Sequence, residues 1–177
     1  MKNYLFYLSS LVVFIASIQI ISSQEKTCAC CSDQHAAFDF WVGEWEVFTA
    51  DGNVAGYNTI TKIQDQCALK ENWTSARGGF SGTSYNFYNQ LSGQWEQLWI
   101  DNAGSQLKLY GNKLDNQMIM ESKPFKRGDG DSYVNRITWT ANTDGTVRQL
   151  WEILKGEEVV QVAFDGIYKK KVTSKKE

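Results

Sequence analysis

Four cysteines and one histidine are the residues of this 177-residue chain best suited to hold a metal or move electrons, and most of them crowd together. Cys28, Cys30, Cys31 and His35 spell Cys-x-Cys-Cys-x3-His, while Cys67 stands apart. Three thiolates and an imidazole are a donor set that zinc accepts, but this spacing matches no zinc-finger pattern. A thiolate cluster is also hard to keep reduced outside the cytoplasm. The other outcome is disulfides, with Cys67 stapling the N-terminal segment to the rest of the chain and the remaining pair closing locally or staying free. A bridge from the cluster to Cys67 closes a loop of roughly 40 residues and stabilises by about 3–4 kcal/mol. Haem attachment through Cys-x-x-Cys-His is absent from the sequence.

Other chemistry is sparse. A Ser or Cys nucleophile needs a neighbouring base, usually His, and the single His35 sits near the N-terminus. Two carboxylate pairs, Glu71 with Asp101 and Glu152 with Asp165, are candidates for acid–base work if they converge. Alternatively each meets Arg77, Arg136 or Arg148, or faces water. No glycine loop of the phosphate-binding kind follows a strand and opens a helix. A formal net charge of −2 and a pI near 5.5 leave no basic footprint, so nucleic acid is not an expected partner. No cofactor is expected.

The elements that must position these residues begin after an address. Lys2 precedes an almost wholly apolar run over residues 5–21, followed by Ser22, Ser23 and Gln24. A short cationic lead, an apolar stretch and small residues read as a secretory signal peptide over residues 1–23, with Ser23 before the cut. The run falls slightly short of the roughly 20 residues that a membrane-spanning helix needs. Glu25, Lys26 and Thr27 are the wrong residues for a lipobox ahead of Cys28. The mature chain is therefore expected to be secreted or periplasmic, without membrane association. Residues 24–37 form a Cys-rich segment, residues 38–170 one domain, and residues 171–177 a basic, solvated tail.

Within residues 38–170, turn signals recur at short intervals: Asp51-Gly52, Gly78-Gly79, Ser92-Gly93, Ala103-Gly104, Asp115-Asn116, Asp144-Gly145 and Gly156. Between them run segments rich in Trp, Tyr, Thr, Val and Ile with two-residue alternation. Trp95, Gln97 and Trp99 share one face; Tyr133, Asn135, Ile137 and Trp139 share another. A third segment sets Val147, Gln149, Trp151 and Ile153 against Arg148, Leu150, Glu152 and Leu154, and a fourth sets Phe164 and Tyr168 against Ala163 and Ile167. The only helical candidate is the short run over residues 33–40, with Asp33 as its cap. The single proline, Pro124, falls in a loop over residues 123–131. Roughly ten such strands joined by tight turns predict an all-β fold: a single antiparallel up-and-down β-barrel with a short N-terminal helix or coil. Closure removes the exposed edges of a meander.

Large residues stand on both faces of many strands, with polar groups interleaved among the aromatics, as in a barrel with one packed face and one face lining a partly polar pocket. The candidate lining is Trp73, Tyr85, Phe87, Trp95, Trp99, Trp139 and Trp151, with Glu71, Gln97 and Arg136 orienting a ligand's polar end. The expected partner is a small apolar or aromatic molecule. The alternatives are a lyase or isomerase using a carboxylate inside the barrel, and a metal or redox module at the N-terminal cysteines.

The most distinctive stretch is Phe38-Asp39-Phe40-Trp41-Val42-Gly43-Glu44-Trp45, where indoles can plug one end of a barrel while Gly43 lets backbone approach closely. It resembles an uncharacterised, mostly bacterial family of unknown function whose members open with Phe-Asp-Phe-Trp-x-Gly-x-Trp. The likeness continues through Cys67-Ala68-Leu69-Lys70-Glu71-Asn72-Trp73, Gly82-Thr83-Ser84-Tyr85-Asn86-Phe87-Tyr88, Trp95-Glu96-Gln97-Leu98-Trp99-Ile100-Asp101 and Phe164-Asp165-Gly166-Ile167-Tyr168. That family is similar to the calycins, the lipocalin-like barrels that hold small apolar ligands, and to the haem-binding nitrobindins. The resemblance implies fold more than activity. Nitrobindins ligate iron with a late-strand His, and this chain has none after His35. The Arg-x-Tyr carboxylate clamp of fatty-acid-binding relatives is also missing from the last strand.

Overall fold

The computed structural model describes residues 28–171, so the apolar leader over residues 1–23 and most of the basic tail lie outside the described residues. A four-residue helix α1 (Asp33–Ala36) and a 3-10 turn (Asp39–Trp41) lead into strands β1 (Gly43–Thr49), β2 (Val54–Ile63), β3 (Ala68–Ser75), β4 (Ser81–Asn89) and β5 (Gln94–Asp101). These are followed by β6 (Gln106–Leu114), β7 (Gln117–Glu121), the two-residue β8 (Phe125–Lys126), β9 (Ser132–Ala141), β10 (Val147–Lys155) and β11 (Glu158–Lys170). Neighbours in sequence pair antiparallel from β1 to β7, β9 takes the place beside β7, and β11 returns to β1. The result is a closed antiparallel barrel of ten strands, with β8 as a short flap on β9. The expected all-β barrel is what forms, and the loop expected over residues 123–131 contains that flap.

Each turn signal serves its purpose. Gly52, Gly93, Gly104, Gly145 and Gly156 all take positive φ between strands, as does Asp115 in the β6–β7 hairpin. The β2–β3 connection carries no such signal, yet Gln64, Asp65 and Gln66 all have φ between 51° and 75°. The two glutamines reach that region at a cost of about 1–2 kcal/mol each, while the short polar side chain of Asp65 tolerates it better. Lys62 holds the segment from one side, donating to Gln66 Oε1 at 3.4 Å and to Asp39 Oδ2 at 2.6 Å.

Alternation sorts the strands into an inner and an outer face. On β9, Tyr133, Asn135, Ile137 and Trp139 are buried inward. Register shifts between Trp151 and Glu152 and between Ile153 and Leu154 change the phase of the β10–β11 pair. Ala163, expected opposite Phe164, stands unpaired at the first bulge and joins it on the cavity wall.

One end of the barrel is plugged by the residues of the Phe-Asp-Phe-Trp stretch. Phe38 and Trp41 are wholly buried and stack with ring centroids 4.9 Å apart. Phe38 meets Trp139 at 5.1 Å and the edge of Trp95 at 5.7 Å. The indole N–H of Trp45 donates to the carbonyl of Trp41 at 2.8 Å, and that of Trp95 to Gln34 at 2.9 Å, so the N-terminal segment is tied to the barrel by polar bonds as well as rings. Gly43 has φ +147°, and a Cβ there would lie 2.6 Å from Lys170 Nζ. Lys170 donates to the Val42 carbonyl at 2.9 Å and covers the Trp45 ring at 4.5 Å. Lys169 lies over Phe48 and Lys171 over Tyr57, and all three lysines remain exposed. α1 is capped by Ser32, whose hydroxyl accepts from the His35 amide; Asp33 is its first residue rather than its cap.

Two disulfides complete the closed end, Cys28–Cys31 and Cys30–Cys67, leaving no free thiol among the described cysteines. The proposed metal or redox set of Cys28, Cys30, Cys31 and His35 therefore does not form. His35 is buried against the edge of Tyr88 and bonds Ser32 Oγ through Nδ1 at 2.7 Å. The Cys30–Cys67 bridge spans 37 residues, and the double variant Cys30→Ser/Cys67→Ser should lose about 4 kcal/mol in urea unfolding. Opening Cys28–Cys31, only three residues apart, should lose about 2 kcal/mol or less. Equal losses from the two would contradict this loop-length ordering.

Candidate functional site

Away from the plug, the barrel is hollow. A cavity of about 360 Å³ is lined by residues from β2, β3, β5, β6 and β9–β11, together with Phe80 from the β3–β4 loop. Trp73, Trp99, Trp139, Trp151, Phe164 and Tyr168 supply its rings, and Ala55, Leu107, Ile137 and Ala163 its aliphatic wall. Its polar groups are Glu71, Ser75, Gln97, Asp101 and Gln149. Other hollows, such as the one beside Cys30–Cys67, lie on the outer surface and are more open.

Glycines explain why rings line this space instead of filling it. A Cβ on Gly82 would lie 2.1 Å from Cζ2 of Trp99, and one on Gly56 would lie 2.7 Å from Cζ2 of Trp73. A Cβ on Gly166 would lie 2.5 Å from Cε1 of Phe164. Each ring thus sits against a neighbouring strand at a position that has no side chain. Any larger residue there would push the ring into the lumen.

Glu71 stands midway along the inner face of β3, between Leu69 on the packed side and Trp73 on the open side. It is 5% exposed, and neutral donors hold both its oxygens: Asn58 Nδ2 at 2.7 Å and Ser84 Oγ at 2.6 Å. The chain of bonds runs on from Ser84 to Asn86 Nδ2 at 2.8 Å and from Asn86 Oδ1 to Gln97 Nε2 at 2.6 Å. Asn58 also reaches the Tyr168 hydroxyl at 3.3 Å, and that hydroxyl donates to Gln149. Strands β2, β3, β4, β5, β10 and β11 all contribute to one buried polar network. Burial raises the Glu71 carboxyl to about 7, against the smaller downward pull of Ser84 and then Asn58. The Tyr168 phenol is held well above its ordinary range, first by burial and then by the charge of Glu71.

Of the residues the sequence nominated, Glu71, Trp73, Gln97, Trp99, Trp139 and Trp151 meet at the cavity. Four do not. Trp95 faces inward but packs in the plug against Phe38. Tyr85 and Phe87 point outward, 45% and 37% exposed, because Ser84 and Asn86 take the inner face of β4. Arg136 lies on the outer wall, donating from Nε and Nη2 to Glu152 at 3.2 and 2.9 Å. Arg148 pairs with Asp165, one bond to each carboxylate oxygen, so Glu152 and Asp165 are ion-paired rather than convergent. Asp101 lines the cavity with Glu71 but spends one oxygen on the amides of Ala103 and Ser105 in the β5–β6 turn. Asn86 and Gln149 are among the polar residues interleaved with the aromatics in the sequence, whereas the partners Asn58, Ser84 and Tyr168 are not singled out as site residues there. Their signal was two-residue spacing opposite Glu71 and Gln97 in neighbouring strands, which needs the register to be read.

Compared with known proteins, the chain matches no family model and no curated protein.

The raised Glu71 carboxyl has a consequence for stability. Its value is 4.5 in an unfolded chain and about 7 when folded, so the folded state holds the proton more tightly. Stability from this group is greatest below about pH 4.5, falls as pH rises toward 7, and loses about 3 kcal/mol in all. Glu71→Gln should flatten that part of the profile. Urea unfolding of both proteins between about pH 4 and pH 8 measures it, and a wild-type-minus-variant difference independent of pH would contradict the assignment.

Proposed function

We propose that this chain is a secreted binding protein for a small, largely apolar or aromatic molecule held in the barrel cavity. The observation that carries this reading is the 360 Å³ space walled by aromatic rings beside a buried polar network. Ligand sites are typically concave, about 300–1,000 Å³, mostly apolar, and equipped with a few fixed polar groups. The paired cysteines support an oxidising destination. No helix among the described residues is long and apolar enough to cross a membrane.

A second reading is favoured by one observation, the Glu71 carboxyl held near 7 inside a cleft. A carboxylate so placed is suited to take a proton from a carbon acid, and would make the chain a lyase or isomerase acting on an apolar substrate. Loss of turnover with retained binding in Glu71→Gln would identify that case.

The binding reading is tested with N-phenyl-1-naphthylamine, a neutral apolar fluorophore. It should bind with enhanced emission and quench the cavity tryptophans. Leu107→Trp, which places an indole in the lumen, should weaken binding by at least about tenfold, or about 1.4 kcal/mol. Tyr85→Ser, on the outer wall, should leave it unchanged. Equal affinity in the wild type and Leu107→Trp would move the site out of the barrel.

A further inference from the structure

We propose that the ligand is an organic cation, an ammonium on an apolar or aromatic body, whose charge is received by Glu71 and the surrounding ring faces. This inference rests on the binding reading above and adds to it the charge of the guest. The cavity lining contains two acids, Glu71 and Asp101, and no Lys, Arg or His. Four bases of the described residues are ion-paired with acids outside that lining: Lys62 with Asp39, Arg136 with Glu152, Arg148 with Asp165 and Lys155 with Asp131. An anionic guest would be desolvated against two carboxyl groups with no counter-charge, which is strongly unfavourable.

The same wall favours a cation. Ring faces carry the negative lobe of the aromatic quadrupole, and Trp73, Trp99, Trp139 and Trp151 line one space, the first two seated against Gly56 and Gly82. Glu71 lacks a cationic partner among the described residues, and its bonds come from the neutral groups of Asn58 and Ser84. Those donors fix the carboxylate without cancelling its charge. A buried carboxylate in that condition is costly until a cation is brought to it, so an ammonium gains more here than a neutral group of equal size.

The groups facing Glu71 are Asn58 from β2, Ser84 from β4 and Tyr168 from β11, with Gln97 from β5 joined through Asn86. Only Tyr168 among these titrates, and it does so far above neutrality. Asp101, at the open end of β5, is the other ionisable group of the lining. Cation binding should therefore be linked to one proton, released when Glu71 ionises beneath the bound ammonium.

The test uses three isosteric probes on the mature protein by titration calorimetry: 4-phenylbutylamine, 4-phenylbutan-1-ol and 4-phenylbutyrate. At about pH 8 the amine should bind at least about tenfold tighter than the alcohol, with the carboxylate weakest. Lowering the pH to about 5.5 should weaken the amine by about 30-fold and leave the alcohol unchanged. Near pH 6.5, about 0.8 proton should be released per amine bound, read from buffers of different ionisation enthalpy. Glu71→Gln should bring the amine and alcohol within about threefold of each other. Proton release by the wild type tests the same claim if that variant fails to fold. An amine with no advantage, or no released proton, overturns the cation while retained N-phenyl-1-naphthylamine binding leaves the receptor standing. Loss of that fluorophore as well overturns both.

Discussion

A ten-strand barrel encloses more cross-section than its own inward side chains can fill, and the structure depends on how that excess is shared between a plug and a hollow. The plug is aromatic because rings fill volume at low entropic cost and pack edge to face. Phe38, Trp41, Trp45, Trp95 and Trp139 do this at one end, and the segment bringing the first two is pinned by Cys30–Cys67, by indole N–H bonds and by Lys170 across the Trp45 face. Above them the same residue type behaves oppositely. Trp73 and Trp99 lie along the wall because Gly56 and Gly82 leave room beside them. Glycine placement therefore decides whether an indole fills the barrel or lines it.

The polar network sits between these two regimes. Leu69, Leu109, Met118 and Met120 belong to the packed core, while Glu71, Gln97 and Tyr168 reach both the network and the lumen. Burying an ionisable carboxyl costs stability unless something offsets it. Here the offset is partial, since the donors to Glu71 are an amide and a hydroxyl and no lysine or arginine among the described residues reaches it. Elsewhere the chain does pair its acids: Asp165 has a bidentate arginine, and Glu152 takes two bonds from Arg136. Glu71, which faces the cavity, is held by neutral donors alone.

Much of this was legible in the sequence, and the exceptions have physical reasons. Turn glycines and two-residue alternation gave the barrel, and Trp73, Gln97, Trp99, Trp139 and Trp151 followed from the inner phase of their strands. Arg136 is three residues from Trp139, so strict alternation already denied them a common face. Tyr85 and Phe87 failed because β4 puts its small and polar members inward, a phase set by cross-strand bonds from Ser84 to Glu71 and from Gln97 to Asn86. Hydrophobicity alone would choose the reverse. Trp95 has the right phase but the wrong height, and height along a strand depends on barrel stagger, which no local pattern encodes. The β2–β3 turn was silent because its left-handed residues are Gln64, Asp65 and Gln66, with no glycine among them. Tertiary ties from Lys62 and the adjacent disulfide hold what local preference would not.

A carboxyl that titrates near neutrality and is held by neutral donors stays in place in either protonation state, because its position does not depend on a salt bridge. When ionised it accepts from Asn58 and Ser84; when protonated, one oxygen still accepts and the hydroxyl seeks a new acceptor. Asn58 Oδ1, buried and without a hydrogen-bond partner among the described residues, belongs to the adjacent amide. A half-turn of that amide would let it accept where it now donates, to Glu71 and to the Tyr168 hydroxyl alike. The network can thus follow the charge of its central group by reorienting one side chain, while the ten-strand frame and its ring plug remain fixed. The bonded frame around Glu71 thus accommodates either proton content of that carboxyl.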